Sequence, residues 1–443
     1  MLFKGLHGVR VKHLKNTARF EPQIIPAPKE VCIPMAMHIG APARLTVKVG
    51  DQVKVGTLIG ESGAGISSAV YSSVSGTVKK IDEIVMIAGN HVPTVVIESD
   101  GEQTLEDAIS PYDVNSKEEF LAALRKSGIV GLGGAGFPTP VKLNAENSRV
   151  DTLIINGAEC EPYITSDTRT MLDRADEVAE GIALICKFLE IENVIIGIEK
   201  NKPECIASMR KATKQMPYVK VKPLPSVYPQ GGEKVLAYHT TGRIIPQGKL
   251  PIDVGLIVLN CTTAAVIARF INTGMPLTQK CVTVDGSAVR EPKNLIVPIG
   301  TPVGDLIEHC GGFAEEPRKV LYGGPMMGIA LTDMRSPVLK QTNAVIFMGK
   351  GEATPPQFTP CIKCGACIEA CPLSLDPVAI SKAHRANDAE MLEKLCVDLC
   401  MECGCCSYVC PAKRDRVQRN KLAKATLREY RMKKRALEEK KNG

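Results

Sequence analysis

The chain has 443 residues, 44% of them hydrophobic, so it is long enough for about three domains with separate cores and is neither disordered nor fibrous. Its net charge of +7 comes from residues 411–443, which hold 13 Lys and Arg against 4 Asp and Glu. Nucleic acid, an anionic membrane surface or an acidic protein could each bind such a tail, and a solvated helix end is the alternative. The chain lacks Trp and is only 4% aromatic, which disfavours base stacking on single-stranded nucleic acid.

Targeting signals are not evident in the sequence. No apolar run approaches the roughly 18 to 20 residues that span a bilayer. The first residues, "MLFKGLHGVRVKHLKN", lack the apolar stretch of a signal peptide. We therefore expect a cytosolic location.

Near the N-terminus, the segments 45–61 and 69–81 alternate short apolar runs with glycine turns, which predicts a set of short strands. This pattern resembles the hammerhead of biotinyl and lipoyl domains. A carrier domain would have a lysine at the central hairpin, and no lysine occurs between Gly60 and Val78. We interpret residues 1–110 as a barrel-sandwich domain with a structural or docking role.

A helix and a glycine-rich loop follow. Residues 116–128, "SKEEFLAALRKSG", predict a helix capped by Ser116 and stopped at Gly128. The next stretch, 131–140, reads "GLGGAGFPTP" and matches G-x-G-x-x-G. A Rossmann phosphate turn follows a strand, however, and two prolines sit badly in the first turns of a helix. The loop is predicted to cradle a phosphorylated or planar ligand, with a purely structural loop as the alternative.

From residue 150 to 280 apolar strands alternate with helical patterns. Strands are predicted at 151–156, 193–199, 218–224 and 253–260, and helices near 168–190, 203–215, 232–241 and from 262. This alternation is typical of a Rossmann-like parallel sheet covered on both faces, whose ligands bind at the carboxyl ends of the strands. Polar runs follow three of these strands: "NGAECEP" (156–162), "YPQGGEK" (228–234) and "NCTT" (260–263).

Seventeen cysteines in a cytosolic chain favour metal ligation over disulfides, and ten of them lie between Cys361 and Cys410. The spacing C-x2-C-x2-C-x3-C-P occurs twice and is typical of two [4Fe-4S] clusters that exchange their fourth ligand. One predicted ligand set is Cys361, Cys364, Cys367 and Cys410, and the other is Cys400, Cys403, Cys406 and Cys371. Structural zinc is the alternative, but zinc knuckles do not use the third cysteine or the trailing proline.

The intervening residues 373–399 have a helical pattern, so we predict a helical two-cluster domain rather than a minimal ferredoxin.

The ordered motifs "GLGGAGFPTPVK", "NGAECEP", "YPQGGEK" and "NCTT", followed by the cysteines, resemble the flavin-binding subunit of respiratory complex I. They resemble the C subunit of Rnf ferredoxin:NAD+ oxidoreductase complexes more closely. Residues 282–330 are similar to the β-grasp insert of these families, where an interaction role is expected. The resemblance implies a multidomain α/β chain with the following parts: barrel-sandwich 1–110, FMN/NAD domain 111–280, β-grasp 281–345, two-[4Fe-4S] ferredoxin-like domain 346–420 and basic tail 421–443.

The resemblance also implies the roles of individual residues. Glu161 would contact the nicotinamide end of NADH, with Glu233 nearby. FMN would be held by Gly131, Gly133, Gly134, Lys142, Asn156, Glu159, Cys160, Tyr228, Gly231, Asn260 and Thr263. Two departures leave the adenine-binding residues unassigned: Ala145 replaces a stacking phenylalanine, and Gly232 replaces a second acid. For the single acids, a surface or helix-capping role is the alternative.

The resemblance implies an oxidoreductase subunit that exchanges electrons between NAD(H), FMN and two [4Fe-4S] clusters. Its partners would be the membrane-embedded subunits of an ion-translocating complex, and ferredoxin through that complex, with no nucleic acid. It would bind peripherally at the cytoplasmic face of the membrane. The alternatives are a flavin and iron–sulfur cobalamin reductase, and a non-catalytic ferredoxin-like docking adapter.

Overall fold

The computed structural model describes residues 7–85, 89, 91–144 and 150–442. The strands are β1 (Gln23–Ile24), β2 (Glu30–Pro34), β3 (Arg44–Leu45), β4 (Gln52–Val53), β5 (Leu58–Glu61), β6 (Val70–Tyr71), β7 (Gly76–Val85), β8 (His91–Ser99), β9 (Thr152–Asn156), β10 (Val194–Glu199), β11 (Val219–Leu224), β12 (Leu256–Asn260), β13 (Gln279–Asp285), β14 (Lys293–Pro298), β15 (Lys319–Tyr322), β16 (Ile329–Leu331) and β17 (Ala344–Met348).

The helices are α1 (Lys117–Arg125), α2 (Thr139–Leu143), α3 (Ser166–Asp173), α4 (Ala175–Leu189), α5 (Pro203–Ala212), α6 (Glu233–Thr241), α7 (Cys261–Thr273), α8 (Lys350–Ala353), α9 (Ala366–Glu369), α10 (Pro377–Arg385), α11 (Ala389–Lys394), α12 (Cys405–Tyr408) and α13 (Arg416–Asn442). Short 3-10 helices occupy Pro251–Val254, Val303–Cys310 and Val397–Leu399. None of the helices in the described residues is long and apolar enough to cross a membrane.

The N-terminal part is built from two antiparallel sheets, with strand orders β2-β8-β7-β4 and β3-β5-β6. Val31, Ile33 and Ile97 are fully buried, as expected for alternating strands with one face turned to a core. Strand β1 lies outside these sheets and pairs in parallel with β14 of the β-grasp sheet. The segment before the barrel therefore contacts other parts of the molecule.

The central sheet has the order β11-β10-β9-β12, and its strands all run parallel. The four predicted strands and the helices between them are present, with one difference. The helix expected over 168–190 is two helices, α3 and α4, that meet at Arg174. Ser116 caps α1 as predicted, because its hydroxyl accepts a hydrogen bond from the Glu119 amide.

The prolines after the glycine loop are compatible with a helix, contrary to our expectation. Helix α2 begins directly after the loop, with Pro138 at its N-cap and Pro140 in its first turn. A first-turn residue has no intrahelical acceptor for its N–H, so proline costs nothing there. The loop is therefore followed by a helix N-terminus.

The β-grasp sheet has the order β1-β14-β13-β17-β15-β16 and a core that includes Val284, Val297 and Phe347. The chain then enters the cysteine-rich region, which is helical as predicted. There Ile380, Leu392 and Val397 pack with Ala423 and Leu427 of α13. The first half of α13 is thus part of the core of this region.

Candidate flavin cleft and cysteine centre

A cleft of about 580 Å³ opens at the carboxyl ends of the central strands. Strands β9 and β12 are neighbours and end side by side, at Asn156 and Asn260. The chain leaves β9 toward β10 on one side of the sheet, while β12 lies on the other side. A parallel sheet places its ligand crevice at such a switch point, and both asparagines line the cleft.

The glycine loop forms one wall. The Gly131 amide donates to the Phe137 carbonyl over 2.8 Å, and the Leu132 amide donates to the Thr263 hydroxyl over 3.0 Å. Gly134 has φ +115°, and no atom lies within 4 Å of the position that a Cβ would take. Gly131, Gly133 and Gly134 line the cleft, whereas Thr263 is buried behind the loop and fixes it.

Lys142 brings a cation to the same wall. Its Nζ lies 3.0 Å from a Glu233 carboxylate oxygen and donates to the Val258 carbonyl over 2.8 Å. Both Lys142 and Glu233 line the cleft. Helix α2 supplies the lysine and the first residue of α6 supplies the acid, so two helix ends meet at this point.

A buried polar network joins the ends of β9 and β12. Asn260 accepts from the Thr263 amide and donates to Asp167 over 2.7 Å. Asn156 donates to the Gly231 carbonyl over 2.9 Å. Glu159 accepts from the Asp167 amide over 2.8 Å and from the Thr168 hydroxyl over 2.7 Å, so it caps the start of α3. Burial raises the pKa of Glu159.

Cys160 and Glu161 reach the cleft on the loop that follows β9. Burial raises the pKa of the Cys160 thiol to about 12, so it is a neutral thiol at neutral pH. The Glu161 carboxylate accepts from the amides of Met326 and Met327, over 3.0 and 2.8 Å. Burial raises the pKa of Glu161, and these two hydrogen bonds oppose the rise. The acid thus ties the central domain to the β-grasp domain.

The β-grasp domain forms the opposite wall of the cleft, which the sequence did not predict. The lining residues from this domain are Tyr322, Gly323, Gly324, Met327, Gly328, Ile329, Leu339, Gln341, Thr342 and Asn343. Residues 322–328, "YGGPMMG", belong to the segment 282–330 for which the resemblance implies an interaction role, and they are the sequence signal closest to this wall. A second glycine-rich segment, besides the glycine loop of residues 131–136, is the feature that could have indicated a second wall of the cleft.

Met401 and Tyr228 separate the cleft from the cysteine-rich region. Met401 lines both the cleft and a cavity of about 20 Å³ among the cysteines. A Cβ at Gly232 would lie 2.1 Å from the Met401 Cε, so a side chain at this position would displace the end of the Met401 side chain. The Tyr228 hydroxyl donates to the Cys403 carbonyl over 2.8 Å. Gly232 and Tyr228 thus both lie against the second cysteine motif.

Five cysteines line the small cavity, and four of them belong to the repeated motif, the fifth being Cys405. Cys371, Cys400, Cys403 and Cys406 all line it, although Cys371 belongs to the first motif and the other three to the second. Burial raises the pKa of Cys371, backbone hydrogen bonds from Leu375 and Leu373 oppose the rise, and the neighbouring Cys403 and Cys400 thiols add to it. This grouping is the one expected from an exchanged fourth ligand.

The second set lies nearer the surface. Cys361 and Cys364 are exposed, whereas Cys367 and Cys410 are buried. A hydrogen bond from the Lys363 backbone lowers the pKa of Cys361, and the Arg416 and Arg414 guanidinium groups add to this shift. Burial raises the pKa of Cys367, with Arg416 opposing and Cys410 reinforcing the rise. The first motif thus shares its surroundings with Cys410 of the second.

Within the described residues, no three His, Cys, Asp or Glu side chains converge on the position of a single metal ion. The thiolates of a cubane bind separate irons and stand farther apart than the ligands of one ion. Cys405, which lies outside the motif spacing, is buried with its Sγ 3.8 Å from the Tyr228 carbonyl oxygen.

Comparison with known proteins gives matches along most of the chain. Residues 2–102 match the RnfC barrel sandwich hybrid domain, residues 124–269 the Nuo51 FMN-binding domain, and residues 281–330 the SLBB domain. The C subunit of the proton-translocating ferredoxin:NAD(+) oxidoreductase complex of Clostridium ljungdahlii is 43% identical over 83% of this chain and 81% of its own length. The chain belongs to the family of Rnf complex C subunits.

Two further members of the family are similar to this chain over comparable lengths. The C subunit of the Na(+)-translocating ferredoxin:NAD(+) oxidoreductase complex of Acetobacterium woodii is 41% identical over 87% of this chain and 88% of its own length. The C subunit of the ion-translocating oxidoreductase complex of Rhodobacter capsulatus is 40% identical over 88% of this chain and 76% of its own length. These relatives confirm the resemblance that the motifs indicated.

A more distant likeness concerns the fold alone. The NAD+-reducing [NiFe]-hydrogenase in its H2-reduced state has a chain that aligns with a TM-score of 0.51 at 17% identity. The alignment covers 70% of this chain and 63% of that chain. The family models, which match barrel-sandwich, FMN-binding and SLBB domains, together with this likeness of fold, confirm the multidomain α/β architecture.

The predicted site residues converge, with one exception. Ten of the eleven residues predicted to hold the flavin line the cleft, and Glu161 and Glu233 line it with them. The exception is Thr263, which supports the glycine loop from behind. The roles of all these residues remain predictions, and Ala145 lies outside the described residues.

Proposed function

We propose that this chain is the electron-input subunit of a membrane-bound Rnf-type complex, in which NAD(H), FMN and two [4Fe-4S] clusters exchange electrons. The observation that carries the proposal is the cleft at the switch point of the sheet, separated by Met401 from the cavity that four motif cysteines line. When bound, a flavin converts hydride chemistry into single-electron chemistry that iron–sulfur clusters can accept.

The cleft fits a flavin mononucleotide in size and in polarity. Its volume of about 580 Å³ falls in the range of small-molecule sites. The open space beside Gly134 leaves room for a ligand against the backbone, and Lys142 offers a cation for a phosphate. We propose that the glycine loop, Lys142, Asn156 and Asn260 hold the flavin.

Other predicted residues support this site from the protein side. The side chains of Glu159 and Thr263 bind the start of α3 and the glycine loop. We propose that they shape the flavin site, and that Cys160, Tyr228 and Gly231 complete its wall. Glu161 and Glu233, at the cleft surface, are the proposed nucleotide-facing acids.

The eight motif cysteines fit two cubane sites. The set Cys371, Cys400, Cys403 and Cys406 adjoins the cleft through Met401. The other set includes the exposed Cys361 and Cys364. We propose that the first site is on the flavin side and the second on the side that a redox partner reaches, with the complex docked at the cytoplasmic face of the membrane.

The decisive experiment is cofactor analysis of the anaerobically purified chain. We expect about eight iron, one flavin released as FMN, and bleaching of both chromophores by NADH. Cluster absorption without flavin would instead favour the docking adapter. Reduction of a corrinoid at rates that match flavin reduction would favour the cobalamin reductase, and co-purification with membrane subunits would favour the Rnf-type complex.

A further inference from the structure

The N-terminal strap, which we define as residues 9–17, crosses the loop that carries Cys160 and Glu161. Val9 exchanges two backbone hydrogen bonds with Tyr228, over 2.8 and 2.9 Å. The Tyr163 amide donates to the His13 carbonyl over 3.0 Å. The strap thus runs from the wall of the cleft along the whole loop.

Lys15 is the centre of these contacts. Its Nζ donates to the backbone carbonyls of Glu159, Glu161 and Ile164, over 2.8, 2.8 and 2.5 Å. An ammonium has three N–H donors, so all the donors of this side chain bind carbonyls of a single loop. The loop has no helix or strand of its own between residues 157 and 165, and these carbonyls have no partners from regular structure.

The charge around Lys15 is balanced inside the protein. Burial lowers the pKa of Lys15, and the Glu159 carboxylate is the largest opposing influence. Lys202 donates to the same Glu159 carbonyl over 3.2 Å and pairs with Glu199 over 2.5 Å. Two lysines, Lys15 and Lys202, therefore lie beside two acids, Glu159 and Glu199, at this loop. The N-terminal segment supplies Lys15.

We infer that Lys15 is a positioning residue for the flavin cleft, because it fixes the backbone that presents Cys160 and Glu161. This inference rests on the proposed flavin site. The segment that precedes the barrel then helps to form the flavin cleft of the central domain. Without its ammonium, the Glu161 and Ile164 carbonyls lose their side-chain donor, and the Glu159 carbonyl keeps only the longer bond from Lys202. The loop must then open or rotate to recover hydrogen bonds.

The test uses the full-length protein with flavin removed and FMN added back. Lys15→Met keeps a long apolar stem without donors, and Lys12→Met is the matched control because Lys12 is exposed on the same strap. We expect Lys15→Met to bind FMN about tenfold more weakly or worse, measured by quenching of flavin fluorescence. Lys12→Met should bind like the parent, and Lys15→Arg should recover part of the loss.

Hydrogen exchange separates local positioning from a general loss of stability. In Lys15→Met, the amides of residues 157–165 should exchange faster, while those of β7 and β8 in the barrel stay unchanged. If Lys15→Met does not fold, Lys15→Arg alone must show the same local pattern, or the inference is wrong. Parent-like FMN affinity in Lys15→Met would also overturn it. Failure of the parent to bind FMN would refute the proposed function instead, and the exchange pattern would still test the role of Lys15 in the loop.

Discussion

Glu161 has a structural role in addition to the nucleotide-binding role predicted for it. Its two carboxylate oxygens accept hydrogen bonds from consecutive amides of the β-grasp loop, and the Tyr228 hydroxyl lies 3.4 Å away. A nucleotide that binds this acid must share it with that loop. The carboxylate therefore couples two walls of the cleft, a role that the motif alone could not indicate.

We predict that Glu161→Gln retains FMN and both clusters but is reduced slowly by NADH. Glutamine keeps the shape but has a single acceptor oxygen, so one of the two amides faces an NH2 group. The loss of one such contact costs about 1 to 3 kcal/mol, or one to two orders of magnitude in rate or affinity. Stopped-flow reduction by NADH measures it, with dithionite reduction and the exposed Glu118→Gln as controls. Parent-like reduction by NADH would show that the acid serves only the loop.

His38, between the barrel and the glycine loop, gives a prediction about pH. Its Nε2 lies 3.1 Å from the Ser68 amide nitrogen and 2.9 Å from the Ala41 carbonyl oxygen. Burial, with a smaller contribution from Lys340, lowers the pKa of His38 to about 4. The folded protein thus binds fewer protons than the unfolded chain between pH 4 and pH 6.5. Stability is fully present above pH 6.5 and falls as the pH drops through that window.

The change that tests this is His38→Gln, whose amide can both donate and accept at the same place. We expect the barrel strands of the parent to exchange amide hydrogens faster at pH 5 than at pH 6.5, after correction for intrinsic exchange. The variant should show a smaller difference. His91→Gln, an exposed histidine of the same barrel, is the control and should behave like the parent. Equal pH dependence in all three proteins would assign it to other groups.

Among the elements, the glycine loop gives a prediction about cofactor binding. Gly134 has φ +115° and Gly50 has φ +91°, and neither has an atom within 4 Å of a Cβ. Valine at either position strains the backbone in the same way, but only Gly134 lines the cleft. We predict that Gly134→Val loses FMN with its iron content intact and that Gly50→Val keeps both. Flavin and iron analysis of the purified proteins decides, and flavin retention in Gly134→Val would place the ligand elsewhere in the cleft.

The two cysteine loops give a prediction about cluster pairing. Cys371 shares its cavity with Cys400, Cys403 and Cys406, so Cys371→Ser should damage the cluster of the second motif. Paramagnetic resonance of the dithionite-reduced protein should lose one of two signals. Cys410→Ser is the reciprocal variant and should remove the other. Loss of the same signal in both variants would contradict the exchange of ligands.

Strong local patterns explain why many elements were predictable. Strands β9 to β12 are short apolar runs between turns, and α1 has its cap and acidic first turn in the sequence. The break at Arg174 was not predictable, because α3 docks against Glu159 while α4 packs on α7. These contacts are distant in sequence, and the local helical pattern continues through the break.

At the scale of the whole molecule, the unpredicted features all join distant segments. The β-grasp wall, the Met401 contact and the N-terminal strap connect parts of the chain that no local motif relates. One apolar cluster joins Val9, Cys160, Tyr228 and Cys403, and Met326 packs against it. The cleft is therefore a property of the assembled chain, although the sequence identified most of its central-domain residues.

The basic C-terminal helix is the other large-scale feature, and it has two parts. Up to Arg431 it belongs to the cysteine region: Asn420 donates to the Cys400 Sγ over 3.4 Å, Lys424 donates to the Cys400 carbonyl over 3.0 Å, and Arg431 pairs with Glu393 over 2.7 Å. Met432 and Leu437 are 65% and 62% exposed, and the lysines and arginine between them are exposed as well. The second part, which none of these contacts holds, presents a run of exposed basic side chains that can bind a surface.

We predict that deletion of residues 433–443 leaves iron and flavin in place but releases the protein from membranes. Each Lys or Arg near an anionic surface contributes about 1 kcal/mol, so replacing Lys433, Lys434 and Arg435 by Glu should weaken binding by roughly two orders of magnitude or more. Sedimentation with anionic vesicles and with native membranes at increasing salt measures this, because salt screens such contacts. Deletion of residues 421–443 should instead lower the iron content, since it removes Ala423, Lys424 and Leu427 from the cysteine region. Unchanged membrane binding by the shorter deletion and by the charge reversal would place the attachment surface elsewhere on the chain.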